Sequence, residues 1–133
     1  MSEPYLIVFS GPAGSGKTTQ AKAFSAALSL PYFDYDTLVQ PFLLGIERRY
    51  GLIEGSRSAF YKEWRSESYS TLFEVTKENL KSGISLVLSA PFTREMEEKD
   101  FFSRLKAESG ASFISIAFSL FPSSALRLKM LRQ

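Results

Sequence analysis

The chain contains neither cysteine nor histidine. Without cysteine it forms no disulfide and offers no thiol nucleophile or thiolate metal site. Without histidine it lacks the commonest general base and zinc ligand, so acid–base work falls to Asp, Glu, Lys or Tyr. A dominant charge is also missing: 16 Lys and Arg face 14 Asp and Glu, for a net charge of +2. With no long basic run either, the balance argues against a nucleic-acid partner. The apolar run from Tyr5 to Phe9 is too short for a membrane span or a signal-peptide core and has no basic start. The expectation is a soluble, cytoplasmic protein with no membrane partner.

What is present suits one folded domain over residues 1–133. Hydrophobic residues make up 44%, with 12 Phe, 6 Tyr and 1 Trp as bulky core material. Tyr5 to Ser10 is a continuous apolar run, as in a strand buried on both faces of a parallel sheet. A helix follows from Lys17 to about Leu30, stopped by Pro31. A short strand at 31–36 ends in acids. Thr37 and Gln40 then suggest a capping box for a helix over about 38–49, with a turn between Gly51 and Gly55. The longest helical pattern runs over about 58–81, with Phe60, Trp64, Leu72, Val75 and Leu80 near one face and Gly83 as its stop. Strands are expected at 84–88 and 112–118, with a helix over about 94–109 capped by Thr93. A last helix from Pro122 carries Arg127, Lys129 and Arg132. Alternation of this kind implies an α/β domain with a parallel sheet and right-handed crossovers.

Gly11-Pro12-Ala13-Gly14-Ser15-Gly16-Lys17-Thr18 meets the pattern G-x-x-x-x-G-K-S/T. Its four fixed positions coincide by chance on the order of once in 200 chains of this length. Glycines let the backbone turn its N–H groups onto phosphate oxygens, and the helix N-terminus that follows favours an anion. Lys17 would reach the β- and γ-phosphates and the Thr18 hydroxyl would ligate Mg²⁺. ATP with Mg²⁺ is the expected ligand.

Asp34 and Asp36 are two residues apart, so on a strand end they point the same way. Carboxylates at the C-terminal end of a parallel sheet can hold Mg²⁺ or accept a proton from a substrate hydroxyl. They could equally be turn and helix-cap acids.

At these residues the chain resembles small P-loop kinases, the group containing shikimate kinase, gluconate kinase and AAA-type zeta toxin-like kinases. Three stretches carry the likeness: Gly11 to Thr19, Tyr32 to Leu38 with its D-x-D, and Gly83 to Phe92. The resemblance implies a P-loop NTPase three-layer sandwich with strand order 2-3-1-4-5 and phosphoryl transfer from ATP to a small hydroxyl compound. Asp36 would be the catalytic base beside Lys17, Asp34 would help hold the metal, and Gly14, Ser15 and Thr19 would belong to the phosphate cradle. Ser89 stands where many relatives carry an aspartate. The glycine triplet of shikimate kinase is absent after Leu88, which argues against shikimate as acceptor. Ala125 to Arg132 resembles the start of a lid helix, so Arg127 and Arg132 would approach the nucleotide. The rest of the lid and a fifth strand would follow in relatives, so the chain is expected to be a kinase truncated at the lid.

Arg48, Arg49, Arg57 and Arg65 lie where similar kinases bind their acceptor, and one of them could grip an anion; for any single one a solvated helix face is the favoured reading. Trp64 reads as core, and Glu95 to Asp100 as a solvated helical turn. The leading expectation is a small-molecule kinase. The alternatives are a nucleotide-binding module without transfer, and a kinase for nucleic-acid ends or nucleotide sugars. A missing fifth strand would expose a sheet edge and favour self-association.

Overall fold

The computed structural model describes residues 3–12, 14–51, 57–119 and 126–131. Alternation along its central strands builds the fold. In β1 (Leu6–Ser10) every residue is buried, but Leu6 and Val8 face one hydrophobic cluster while Ile7 and Phe9 face another. The period-2 pleat that sends successive side chains to opposite faces is the reason. β3 (Leu86–Ala90) divides likewise, with Leu86, Leu88 and Ala90 on the first face and Val87 on the second. β4 (Ile114–Ser119) sends Ile114 and Ile116 to the first and Ala117 to the second. Each large apolar side chain buried this way stabilises the fold by about 1.5–3 kcal/mol.

Helices cover both faces. α1 (Lys17–Leu28) lies over the second with Ala21 buried. α4 (Arg65–Lys81) and α6 (Phe101–Ser109) cover the first through Leu72, Phe73, Leu80, Phe102 and Leu105. With β2 (Tyr32–Asp34) at the edge, the parallel part of the sheet has the order β2-β3-β1-β4, as expected. This order places the ends of β1, β2 and β3 side by side, where ligands bind in open α/β sheets.

The segment expected as a lid helix is instead a strand, β5 (Leu126–Leu131), antiparallel to β4 with Ser119 opposite Leu126 and Ile114 opposite Leu131. A fifth strand is therefore present, though not the parallel one of the resemblance. Ladder hydrogen bonds to β4 satisfy this backbone in place of helical ones. Arg127 sits on β5 in register with Phe118; Arg132 lies outside the described residues.

Three boundaries also differ. α2 (Tyr35–Tyr50) begins directly after β2 because the Asp34 side chain accepts from the Thr37 N–H, so Asp34 is the cap rather than Thr37. The helix expected over 58–81 divides into α3 (Arg57–Glu63) and α4 at Trp64, whose φ of −99° and ψ of 9° bend its path. Hydrogen bonds from Trp64 N to Phe60 O and from Ser68 N to Trp64 O carry the helical pairing through the bend. The helix expected over 94–109 divides into α5 (Thr93–Glu97) and α6, and α5 starts after Phe92, a buried non-glycine residue with φ of 49°. The expected turn at 51–55 lies outside the described residues beyond Gly51. Among the described residues no helix is long and apolar enough to cross a membrane.

Candidate functional site

β1 delivers the chain to Gly11 and α1 takes it up at Lys17. Gly14 and Gly16 have φ of 80° and 88°, a region open to glycine and strained for other residues. A β-carbon at either would meet no protein atom within 4 Å. Backbone conformation, not crowding, therefore demands glycine there, and the loop leaves open space beside it. Gly16 is the N-cap of α1 and provides no side-chain acceptor, so the first-turn N–H groups have no capping side chain. The Ser15 N–H is tied to Pro12 O at 3.2 Å.

One buried polar atom of this loop lacks a partner among the described residues, and the lysine that follows lacks an ion pair. Ser15 Oγ is buried with no hydrogen bond. Lys17 is only 8% exposed, and no carboxylate lies within ion-pair distance of it among the described residues. An orphaned buried hydroxyl is costly unless a polar ligand completes it, and the Lys17 ammonium, with the Asp36 charge near it but no ion pair, is open to an anionic one. Pro12 is exposed and Thr19 points to solvent in the first turn of α1; Ala13 lies outside the described residues.

β2 brings its acids to the same end of the sheet, but not side by side on a strand. Asp34 ends β2 and Asp36 lies in the first turn of α2. Asp34 Oδ2 accepts from Thr37 N at 3.2 Å and Thr37 Oγ1 at 3.3 Å. Its Oδ1 accepts from Ser89 Oγ at 2.7 Å and from the Tyr32 hydroxyl at a long 3.4 Å. Tyr32 and Ser89 are themselves 2.6 Å apart. The parallel register explains the cluster, since Asp34 pairs with Ser89 across the ladder and Tyr32 lies two residues earlier on the same face. Burial raises the Tyr32 pKa, with the Asp34 charge adding to the rise, so the phenol stays protonated near neutrality.

Asp36 is exposed as a residue, yet its carboxyl pKa is raised by partial desolvation and by the Asp34 charge, and Lys17 offsets part of the rise. The structure thus brings Lys17, Thr18, Asp34 and Asp36 into one neighbourhood.

Other expectations fare differently. Arg65 forks onto Glu95, with Nη1 to Oε2 at 3.1 Å and Nη2 to Oε1 at 2.9 Å, and its guanidinium lies 4.0 Å from the Tyr69 ring centroid. Glu95, read as part of a solvated turn, is buried. Arg48 and Arg49 are exposed near the far end of α2. Trp64 is half-buried against Val39, Leu43 and Phe60. It borders a 230 Å³ apolar groove between α2 and α4 that includes Leu38, Phe42 and Ile46 but neither the phosphate-loop residues nor Asp34 or Asp36. The Tyr32–Ser89–Asp34 cluster and the Arg65–Glu95 pair were not read from the sequence. The local signal for the first was two hydroxyl residues near strand ends, which means little until the strands are paired.

The sequence profile of the AAA domain family matches residues 6–124. A presumed kinase from Chloroflexus aurantiacus J-10-fl superposes with a TM-score of 0.69 at 21% identity, covering 90% of this chain and 60% of that one. The APS kinase of Mycobacterium tuberculosis gives 0.58 at 22% identity, covering 90% of this chain and 78% of that one. A chain of the PezAT chromosomal toxin–antitoxin system of Streptococcus pneumoniae gives 0.59 at 19% identity, covering 93% and 49%. These likenesses share a fold, and the chain spans about 60% of the length of the Chloroflexus protein. No curated protein sequence matches.

Proposed function

The chain belongs to the AAA domain family, and from that premise we propose that it binds ATP with Mg²⁺ in the loop at residues 11–18 and transfers the γ-phosphoryl group to the hydroxyl of a small molecule. The observation that carries the reading is the unpartnered buried Ser15 Oγ beside Lys17, which has no carboxylate within ion-pair distance among the described residues, at an uncapped helix N-terminus. A triphosphate satisfies both and lies along the open side of Gly14 and Gly16.

The loop N–H groups, Ser15 and Lys17 hold the phosphate chain and face the charge that develops during transfer. Arg127 and Arg132 would supplement them if the segment beyond β4 approaches the nucleotide. Hard oxygen donors suit magnesium, which keeps several waters and takes few protein ligands. Thr18 through its hydroxyl, and Asp34 through its charge, are the residues that would hold it. When bound, the cation neutralises phosphate charge. Asp36 orients the acceptor hydroxyl and takes its proton on a carboxylate oxygen. Its raised pKa makes it a stronger base than an ordinary aspartate.

Calorimetric titration with a non-hydrolysable ATP analogue and Mg²⁺, on wild type and Lys17→Ala, tests the reading. Binding by the wild type that the variant loses supports it; no binding to folded wild type overturns it. Ser89, at a strand end where relatives hold an acid, favours a second reading, a nucleotide-binding module without transfer. That reading expects saturable binding with no ADP formed over a panel of hydroxyl acceptors.

A further inference from the structure

We propose that the apolar groove between α2 and α4 holds the body of the acceptor, and that this acceptor is an alcohol with an uncharged, ring-sized apolar body, not an anionic sugar derivative. The proposal rests on the phosphoryl-transfer reading above and names the substrate class which that reading leaves open.

Helix geometry joins the groove to the proposed base. Asp36 does not line the groove, but Leu38 and Val39, which do, follow it within one turn of α2. Val39 and Leu43 come three and seven residues after Asp36, so they share its side of the helix. At the helical rise per residue they lie about 4.5 and 10.5 Å further along the axis. Both are buried at 5% exposure and form the floor on the α2 side. A hydrogen bond ties the same two places together. The hydroxyl of Tyr35, the residue before Asp36, lies 2.6 Å from Ser68 Oγ, and Ser68 lines the groove from α4. A molecule with one ring and a short chain spans that interval.

The lining sets the chemistry. Phe42 brings an aromatic ring from α2, 78% exposed, and Trp64 brings a second from the start of α4. An apolar cavity of about 150 Å³ takes up benzene, so a groove of 230 Å³ is filled by a ring with a short side chain. No Lys or Arg occurs among the described lining residues, and the one charged group is Glu67, exposed and without an ion pair among the described residues. Arg65, two residues earlier, forks onto Glu95. A carboxylate or phosphate on the acceptor would face Glu67 with no cation to offset it, and like charges in contact select against such a ligand.

The test follows Trp64 emission while 3-phenylpropan-1-ol, 3-phenylpropanoate or gluconate is titrated into wild type, Phe42→Ala, Thr71→Phe and Glu67→Lys, with a saturating non-hydrolysable ATP analogue and Mg²⁺ present. Phe42 and Thr71 are exposed, so neither substitution disturbs the core. The alcohol should shift wild-type emission saturably, and the two anions should not. Phe42→Ala should weaken the alcohol about two- to tenfold, the worth of one aromatic contact, and Thr71→Phe should block it by filling the groove. Glu67→Lys should admit 3-phenylpropanoate. ADP release from ATP should rise with phenyl alcohols of one to four methylenes, peaking at one chain length. Anions that bind wild type as well as the alcohol does, alcohol binding unchanged in both groove variants, or turnover that no phenyl alcohol raises overturns the proposal. An emission shift produced by raising protein concentration alone assigns the groove to a second copy and overturns it too. Loss of analogue binding with the alcohol still bound overturns the nucleotide reading and leaves the groove as a site for apolar alcohols.

Discussion

Ser89, at the end of β3, donates a 2.7 Å hydrogen bond to Oδ1 of Asp34, its register partner at the end of β2. The other carboxylate oxygen caps α2 through Thr37. One side chain thus joins a strand pair to a helix start at the edge of the phosphate loop.

Asp34→Ala removes the cap and the acceptor shared by the Ser89, Tyr32 and Thr37 hydroxyls. Its expected cost is about 1–2 kcal/mol of stability, read by urea denaturation. Asp34→Asn keeps an acceptor for the Thr37 N–H and should cost less. Equal losses in the two variants would mean that the cap contributes nothing.

Lys17→Ala removes a charge-assisted contact to phosphate worth about 1.5–3 kcal/mol. Affinity for the ATP analogue should fall roughly 10- to 100-fold by that measure. Because Lys17 has no counter-ion within ion-pair distance among the described residues, the apo protein should not be destabilised. A clear drop in the apo melting temperature would contradict that account.

Asp36→Asn should leave analogue binding intact and slow transfer by about 10²- to 10⁴-fold, the usual worth of a general base. In the wild type the transfer rate should fall as pH drops through the raised Asp36 pKa. The linkage runs the other way for stability. The folded state holds this proton more tightly than the unfolded chain does, so ionisation between pH 3.8 and the folded-state pKa costs stability. Asp36→Asn should therefore melt higher than wild type at neutral pH, and the gain should vanish below pH 3.8. Calorimetric scans at both pH values check the sign.

Arg65 and Glu95 join α4 to α5 with side chains 17% and 8% exposed. Removing one partner leaves the other charge poorly solvated, so Arg65→Ala should cost about 3 kcal/mol. Replacing both by apolar residues of similar volume should recover most of it. A double variant as unstable as the single ones would show that packing, not the orphaned charge, sets the cost.

β2 and β5 are the outer strands of the described sheet, and outer strands present unpaired backbone groups. Light scattering over a range of concentrations should show reversible self-association. A constant monomer mass would argue that both edges are protected.

The strands buried on both faces were legible as apolar runs, and the phosphate loop was legible because its chemistry needs fixed residues at fixed spacing. β5 was not. Leu126-Arg127-Leu128-Lys129 alternates apolar and basic residues with a strand's period of two, but Leu, Arg, Lys and Met are all strong helix formers. Pairing with β4, a tertiary effect, decides the outcome. The role of Asp34 was hidden for a similar reason. A D-x-D at a strand end can read as a pair of site acids, and only the pairing of β2 with β3 reveals Ser89 as its donor. Glu95 looked solvated because its partner lies 30 residues away.

The bend between α3 and α4 has a practical consequence. It is made by Trp64, the one tryptophan in the chain, half-buried beside the apolar groove between α2 and α4. The protein therefore carries a single indole, which can be excited apart from its six tyrosines, at the junction between the helices after β2 and the body of the domain. Its emission reports shifts of α2 against α4, or filling of that groove, without any label and without a second indole to deconvolute.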